Sequence, residues 1–394
     1  MAARSTQRSE TMARGPDGSG GGAGFSLADQ LFNDQTLGDL AAEYARLDGF
    51  DPERFLDTCL PGLAGRGLLE RLDWIADCIE AQLPRGFPAM AEALEAAMPA
   101  PLDPTREDDD FGRFIHAVPG ILAVRHGLEE HQDRALDLLH RATQRFSMEF
   151  YIRPFLNRWP EETLARLDDW VRDDNYHVRR LVSEGTRPRL PWARNITLAP
   201  EVPLRFLDAL HADPTRYVTR SVANHMNDLS KIMPERVLAH LERWRAAGAQ
   251  NAAELDWMIR HALRTAVKRG ERGALDFLGF RAGAVRARLA LSPETPRIGE
   301  ALEIAVTLEA EEAMPVMVDY RLRFARPSGE AEKVFKLRSA RLAPGVPVTL
   351  RKVHRLKADA STFRLHAGAH RVTVQVNGQD VAQAGFMLQP PLGG

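Results

Sequence analysis

The sequence predicts an α-helical, HEAT-like repeat solenoid followed by a β-sandwich domain, and three features carry that prediction. Apolar residues recur at helical spacing through the first two thirds of the chain. One helical segment repeats at a fixed interval within that part. The remainder of the chain switches to a period of two.

In the helical part, Leu68-Leu69-Glu70-Arg71-Leu72-Asp73-Trp74-Ile75 places apolar residues three or four apart. Breaks rich in Pro, Gly or Asp punctuate such segments at Pro99–Pro104, Val118-Pro119-Gly120 and Pro160. The repeat is seen in Val178-Arg179-Arg180-Leu181-Val182-Ser183-Glu184. It aligns with Val218-Thr219-Arg220-Ser221-Val222-Ala223-Asn224 and with Met258-Ile259-Arg260-His261-Ala262-Leu263-Arg264, at a spacing of 40 residues. A helix pair of that length cannot bury its own apolar face, so stacked neighbours must supply a continuous core. Asp173 and Asp213 precede Arg180 and Arg220 by the same seven residues, which predicts a ladder of Asp–Arg pairs between stacked helices. The alternative for these arginines is direct contact with phosphate. Ala253 interrupts the ladder in the third repeat.

In the C-terminal part, Leu302–Leu308, Val316–Phe324 and Val372–Val376 alternate strictly. Asn377-Gly378 then signals a hairpin, with Val381–Leu388 as the return strand. Several strands at this spacing fit a sandwich. The expected organisation is a disordered Gly/Ser/Arg-rich tail at 1–25, the solenoid at 26–281 and the β domain at 282–394.

Composition bounds the function classes. A chain of 394 residues with 44% hydrophobic and 27% charged residues has the composition of a soluble globular protein with an ample core. Cys59 and Cys78 are expected to be buried free thiols. No Cys/His cluster has zinc spacing, no apolar run matches a membrane span, and the N-terminus lacks a signal core. A cytoplasmic protein without cofactor or metal is therefore expected. A monomer is also expected, since the solenoid needs no partner. The net charge of −2 is not the global excess of a nucleic-acid binder, so any DNA surface must come from local segregation of charge.

The most distinctive stretch runs from Arg179 to Arg194. Gly185 suggests a left-handed helix cap, after which Pro188 and Pro191 hold an extended loop. The loop carries Arg187, Arg189, Arg194 and Trp192, and basic residues interleaved with an aromatic suit a nucleic-acid backbone with a base to stack on. A solvated loop with its tryptophan packed on a neighbouring repeat is the plain alternative. Glu184 stands where the other repeats carry Asn224 and Arg264, so a carboxylate there is no requirement of the repeat. Glu149 lies four residues before Arg153, which reads either as a helical ion pair or as a carboxylate and an arginine for DNA. Asn224 and Asp228 share a helical face, and a carboxylate near a helix end is poorly placed for the dipole, with a solvated carboxylate as the plain alternative. Lys268 and Arg269 close the third repeat helix, as dipole partners or as DNA contacts.

The segments Glu149–Leu156, Asp173–Trp192, Ser221–Lys231 and His261–Gly270 resemble those of the AlkC branch of the AlkC/AlkD alkylated-base DNA glycosylases. The run from Glu184 to Trp192 is the strongest match. The resemblance spans nearly the whole chain after the tail and implies that the β domain is immunoglobulin-like and embraces DNA. It further implies a catalytic set of Glu149, Glu184, Asp228 and Trp192. The DNA-binding candidates are Arg153, Arg187, Arg189, Arg194, Lys268 and Arg269. The implied substrates are 3-methyladenine, 3-methylcytosine and 1-methyladenine in double-stranded DNA, hydrolysed without a Schiff base. The competing reading is a non-enzymatic HEAT scaffold that binds DNA or protein. A metal-dependent nuclease would need a compact carboxylate motif that the sequence lacks.

Overall fold

A computed structural model describes residues 27–106, 108, 110–326, 329–358 and 364–391. The expected N-terminal tail lies outside these residues. The helices are α1 (Leu27–Leu31), α2 (Asp34–Tyr44), α3 (Pro52–Cys59), α4 (Leu68–Glu80), α5 (Phe87–Ala97), α6 (Val118–Leu122), α7 (Gln132–Ala142) and α8 (Ile152–Arg158). They continue as α9 (Pro160–Trp170), α10 (Tyr176–Gly185), α11 (Leu204–Leu210), α12 (Arg216–Leu229), α13 (Pro234–Ala247), α14 (Ala252–Lys268) and α15 (Arg272–Phe277). The chain divides into two compact units, one up to Leu229 with Arg243–Met258, the other Ser230–Glu242 with Ile259 onward. The division passes through α13 and α14, whereas the change from helix to strand comes at Val285.

The repeated segments begin at the third residue of α10 and of α12, and at the seventh residue of the longer α14. Within the first unit, α10 packs on α9, α11 and α12. Val178, Leu181 and Val182 of α10 and Val218 and Val222 of α12 are fully buried between them. Each inner helix begins at the same kind of turn. Asp173 accepts from the amide of Asn175, whose side chain caps α10. Asp213 accepts from the amide and hydroxyl of Thr215 just before α12. Cys59 and Cys78 are free thiols buried on α3 and α4.

The inter-repeat ladder exists, but one residue out of the expected phase. Arg179, not Arg220, grips Asp213 (2.6 and 3.2 Å), and His140 meets Asp173 at 2.7 Å. Consecutive helical residues point about 100° apart, so only Arg179 faces the next helix start. Arg180 turns to Glu149, and Arg220 pairs with Asp108. Gly185 is also different from the expectation. It is the last helical residue of α10 and is not left-handed. Its missing side chain instead lets α10 lie against Ile152, where a Cβ would collide.

In the second unit, β1 (Val285–Ser292), β2 (Ala301–Ala310) and β5 (Val348–Arg355) form one antiparallel sheet in the order β1-β2-β5. The other has the order β4-β3-β6-β7, built from β3 (Met314–Arg326), β4 (Gly329–Leu342), β6 (Gly368–Val376) and β7 (Gln379–Leu388). Alternate residues Leu302, Ile304, Val306 and Leu308 from one sheet, and Val316, Val318, Tyr320, Leu322 and Phe324 from the other, form one core. Asn377 and Gly378, with φ of 49° and 78°, make the two-residue turn between β6 and β7 that the Asn-Gly pair predicts.

Candidate active site

Three carboxylates from separate segments of the first unit lie in one row, interleaved with two guanidinium groups. Glu149 follows α7, Glu184 occupies the last turn of α10, and Asp228 the last turn of α12. Arg180 donates to Glu149 Oε2 (2.6 Å), and its other nitrogen stands 3.9 Å from Glu184 Oε2. Arg187 donates to Glu184 Oε1 (2.5 Å) and, through Nε and Nη2, to Asp228 Oδ2 (2.9 and 2.8 Å). Side-chain exposures of 17% for Glu149, 6% for Glu184 and 7% for Asp228 make Glu149 the most accessible of the three.

The supporting groups explain why these charges tolerate burial. Ser221 on α12 donates to Glu184 Oε2 (2.6 Å) and lies 2.9 Å from the Ser183 hydroxyl. Ser147 donates to Glu149 Oε2 (2.5 Å) and accepts from Arg180 (2.8 Å). Arg180 also stacks over Tyr217 at 4.6 Å. Burial alone would raise the Glu184 carboxyl, but Arg180, Arg187 and Ser221 outweigh it and hold the group below the usual carboxylate range. Below the row, His225 is fully buried and donates from Nδ1 to the Ser183 carbonyl (3.0 Å), while Nε2 has no partner among the described residues. Burial and then Arg187 push its pKa down to about 4, so it is neutral at physiological pH.

Two of the arginines expected to bind DNA serve the protein instead. Arg153 is 0% exposed and donates to the carbonyls of Gly185 (3.0 Å), Arg187 (2.7 Å) and Arg194 (2.7 Å). It is neither a phosphate contact nor the helical partner of Glu149; it ties down both ends of the loop after α10. Arg187 is enclosed by Glu184 and Asp228, so its charge is committed to the row. Arg189 and Arg194 are exposed and make no ion pair among the described contacts. Lys268 and Arg269 are exposed at the end of α14, in the second unit, with Arg269 3.7 Å from Glu271.

Trp192 is 68% exposed and left-handed, at φ 64°. It makes no described contact with the carboxylates, but lines a cavity with Phe150 and Tyr151, the two residues that follow Glu149. Sequence reasoning missed Ser147, Ser221 and His225. A signal existed for Ser221, which occupies the repeat position filled by Leu181 in α10. The column holds Leu181, Ser221 and His261, and a buried hydroxyl there needs a polar partner nearby. Among the described residues, no group of three His, Cys, Asp or Glu side chains is arranged to hold a metal ion. No described helix is long and apolar enough to cross a membrane.

Comparison with known proteins adds three findings. Residues 285–390 match the family model of the C-terminal immunoglobulin-like domain of the uncharacterised protein YhaZ. The YhaZ protein of Bacillus subtilis is 29% identical over 361 residues, covering 89% of this chain and 96% of its own. The solved structure of the Pseudomonas fluorescens alkylpurine DNA glycosylase AlkC, bound to DNA containing an abasic site analog, is 33% identical. It superposes with a TM-score of 0.80 over 91% of this chain and 99% of that one.

Proposed function

The chain belongs to the AlkC family of DNA glycosylases that act on alkylated bases, and from that premise we propose its reaction and its site. The substrates are bases made cationic by alkylation at a ring nitrogen, such as 3-methyladenine, 3-methylcytosine and 1-methyladenine, in double-stranded DNA. Such a base is already a good leaving group. The barrier that remains is the positive charge that develops on the sugar as the glycosidic bond opens.

The observation that carries the reading is the carboxylate row. It is rigid and sheltered from water, and its central carboxylate is held ionised by its neighbours, which is the kind of field an oxocarbenium ion needs. Glu184 has both oxygens engaged and is fixed as charge. Asp228 acts with it. Glu149, the most accessible carboxylate, accepts a proton from the attacking water. Trp192 stacks on the nucleotide, and Arg189 and Arg194 meet phosphate. The enzyme is a monofunctional hydrolase, leaving an abasic site with an intact strand.

The test is incubation with methylated duplex DNA and measurement of free modified base under single-turnover conditions. Glu149→Gln, Glu184→Gln and Asp228→Asn should each slow release by roughly 10²-fold or more while far-ultraviolet circular dichroism stays native. Undiminished release in all three variants would overturn the site. Strand cleavage without added alkali would overturn the monofunctional assignment.

A further inference from the structure

Helix α12 presents one line of partly exposed residues, Arg216, Arg220 and Asn224, while every other residue from Tyr217 to Leu229 is buried. The line recurs every four residues, so it is a single stripe, and the next residue along it is Asp228 of the carboxylate row. Arg220 is the fifth residue of α12, as Arg180 is of α10. At that place in α10 the guanidinium works inside the row, on Glu149; in α12 it meets Asp108 instead. The Arg220 and Asp108 side chains are 29% and 28% exposed, whereas the ladder pair Arg179 and Asp213 is 15% and 3% exposed. The Arg220 pair is therefore open to water, and an exposed pair of this kind stabilises a fold little.

Asp108 belongs to the segment between α5 and α6, which is pinned on both sides to the turn after α7. Arg145 donates to the Pro99 carbonyl (2.9 Å), the Leu102 amide donates to the Gln144 carbonyl (2.9 Å), and Gly112 bridges to Phe146. Between these pins the segment reaches α12. Phe111 lies edge-on to Tyr217 (5.4 Å), the ring on which Arg180 stacks, and within 5.7 Å of the Arg220 guanidinium. In the sequence, Glu107-Asp108-Asp109-Asp110 is an unbroken acidic run. Carboxylate and phosphodiester offer a guanidinium the same feature, two oxygens sharing one negative charge. We propose that Arg220 is a phosphate-binding residue for duplex DNA and that Asp108 fills its place in the free protein, standing in for the phosphodiester oxygens. On binding, Arg220 exchanges one anion for the other and Asp108 returns to water. While Asp108 stays, its charge repels the backbone that the stripe would otherwise attract. The proposal rests on the reading that this chain acts on duplex DNA.

Fluorescence anisotropy of the full chain with a labelled undamaged duplex, over a series of salt concentrations, tests the exchange. Asp108→Asn should tighten binding by up to about fivefold. Arg220→Gln should weaken binding and lower its salt dependence by about one counterion. Asp103→Asn removes a carboxylate of the same segment that is bonded to Thr105, and so controls for charge alone. It should tighten binding less than Asp108→Asn does. Once Arg220 is Gln, Asp108→Asn should add no more than Asp103→Asn adds. Release of modified base by the wild type from methylated duplex judges the glycosylase reading separately. Asp108→Asn binding no tighter than Asp103→Asn, or Arg220→Gln with the wild-type salt dependence, overturns the exchange even where base release is intact. A wild type that binds no duplex overturns both.

Discussion

Arg187 shows how much depends on where a single guanidinium points. On the sequence it belongs with Arg189 and Arg194 in a basic loop, yet it is the clamp between Glu184 and Asp228. A phosphate contact and an internal clamp predict different experiments. Removing a phosphate contact weakens binding and reduces the dependence of affinity on salt by about one counterion. Arg189→Ala and Arg194→Ala are expected to do this. Arg187→Lys keeps the charge but loses the planar fork that holds two carboxylates at once. It should slow base release by at least about tenfold, roughly 1.4 kcal/mol, and leave the salt slope of DNA binding unaltered. A reduced slope for Arg187→Lys would return this residue to the DNA-binding set.

The loop after α10 is the element whose shape the site depends on, and Arg153 is what shapes it. Its guanidinium satisfies three carbonyls that span Gly185 to Arg194. Arg153→Met fills a similar volume but strands the buried Gly185 carbonyl and removes the partner of the half-buried Arg187 and Arg194 carbonyls. At roughly 1–3 kcal/mol for the one buried acceptor left unsatisfied, the variant should lose that much stability or release the loop. Urea unfolding followed by tryptophan emission distinguishes the two, since a released loop leaves the midpoint in place but alters the environment of Trp192. A variant with wild-type midpoint, emission and base release would show the anchor to be dispensable. Much at this scale was legible from periodicity. The repeat of 40 residues located α10, α12 and α14, and Asn377-Gly378 located its hairpin. The facing of side chains was not, because a one-residue change of phase on a helix turns Arg179 towards Asp213 and Arg180 towards Glu149. An arginine between Ile152, Pro154, Phe155 and Leu156 did advertise burial, as a charge amid core residues needs internal partners.

Acid response belongs to the whole molecule, because buried neutral histidines occur in both units. In the first unit, burial pushes His177 and His225 down to about 4 from an ordinary value of 6.5. The unfolded chain therefore takes up these protons before the folded chain does. Stability is fully present above about 6.5 and declines as the pH falls towards 4, by up to about 3 kcal/mol for each histidine. Glu184 acts in the same sense at lower pH, since a carboxyl held below its ordinary range loses its contribution as it protonates. The second unit contains the opposite sign as well. His354 and His370 are lowered by burial, but Asp319 is raised by burial to about 6 and favours the folded state on acidification. All six tryptophans, Trp74, Trp159, Trp170, Trp192, Trp244 and Trp257, fall in the first unit, so their emission reports that unit alone. Urea unfolding read by tryptophan emission should show a midpoint that drops steadily between pH 6.5 and 4. His225→Asn, which can still donate to the Ser183 carbonyl but cannot titrate, should flatten that slope by up to about half. A midpoint constant across the interval, or an unchanged slope in the variant, would mean that the imidazoles are hydrated or paired in solution. In that case the neutral floor beneath the carboxylate row would have to be abandoned.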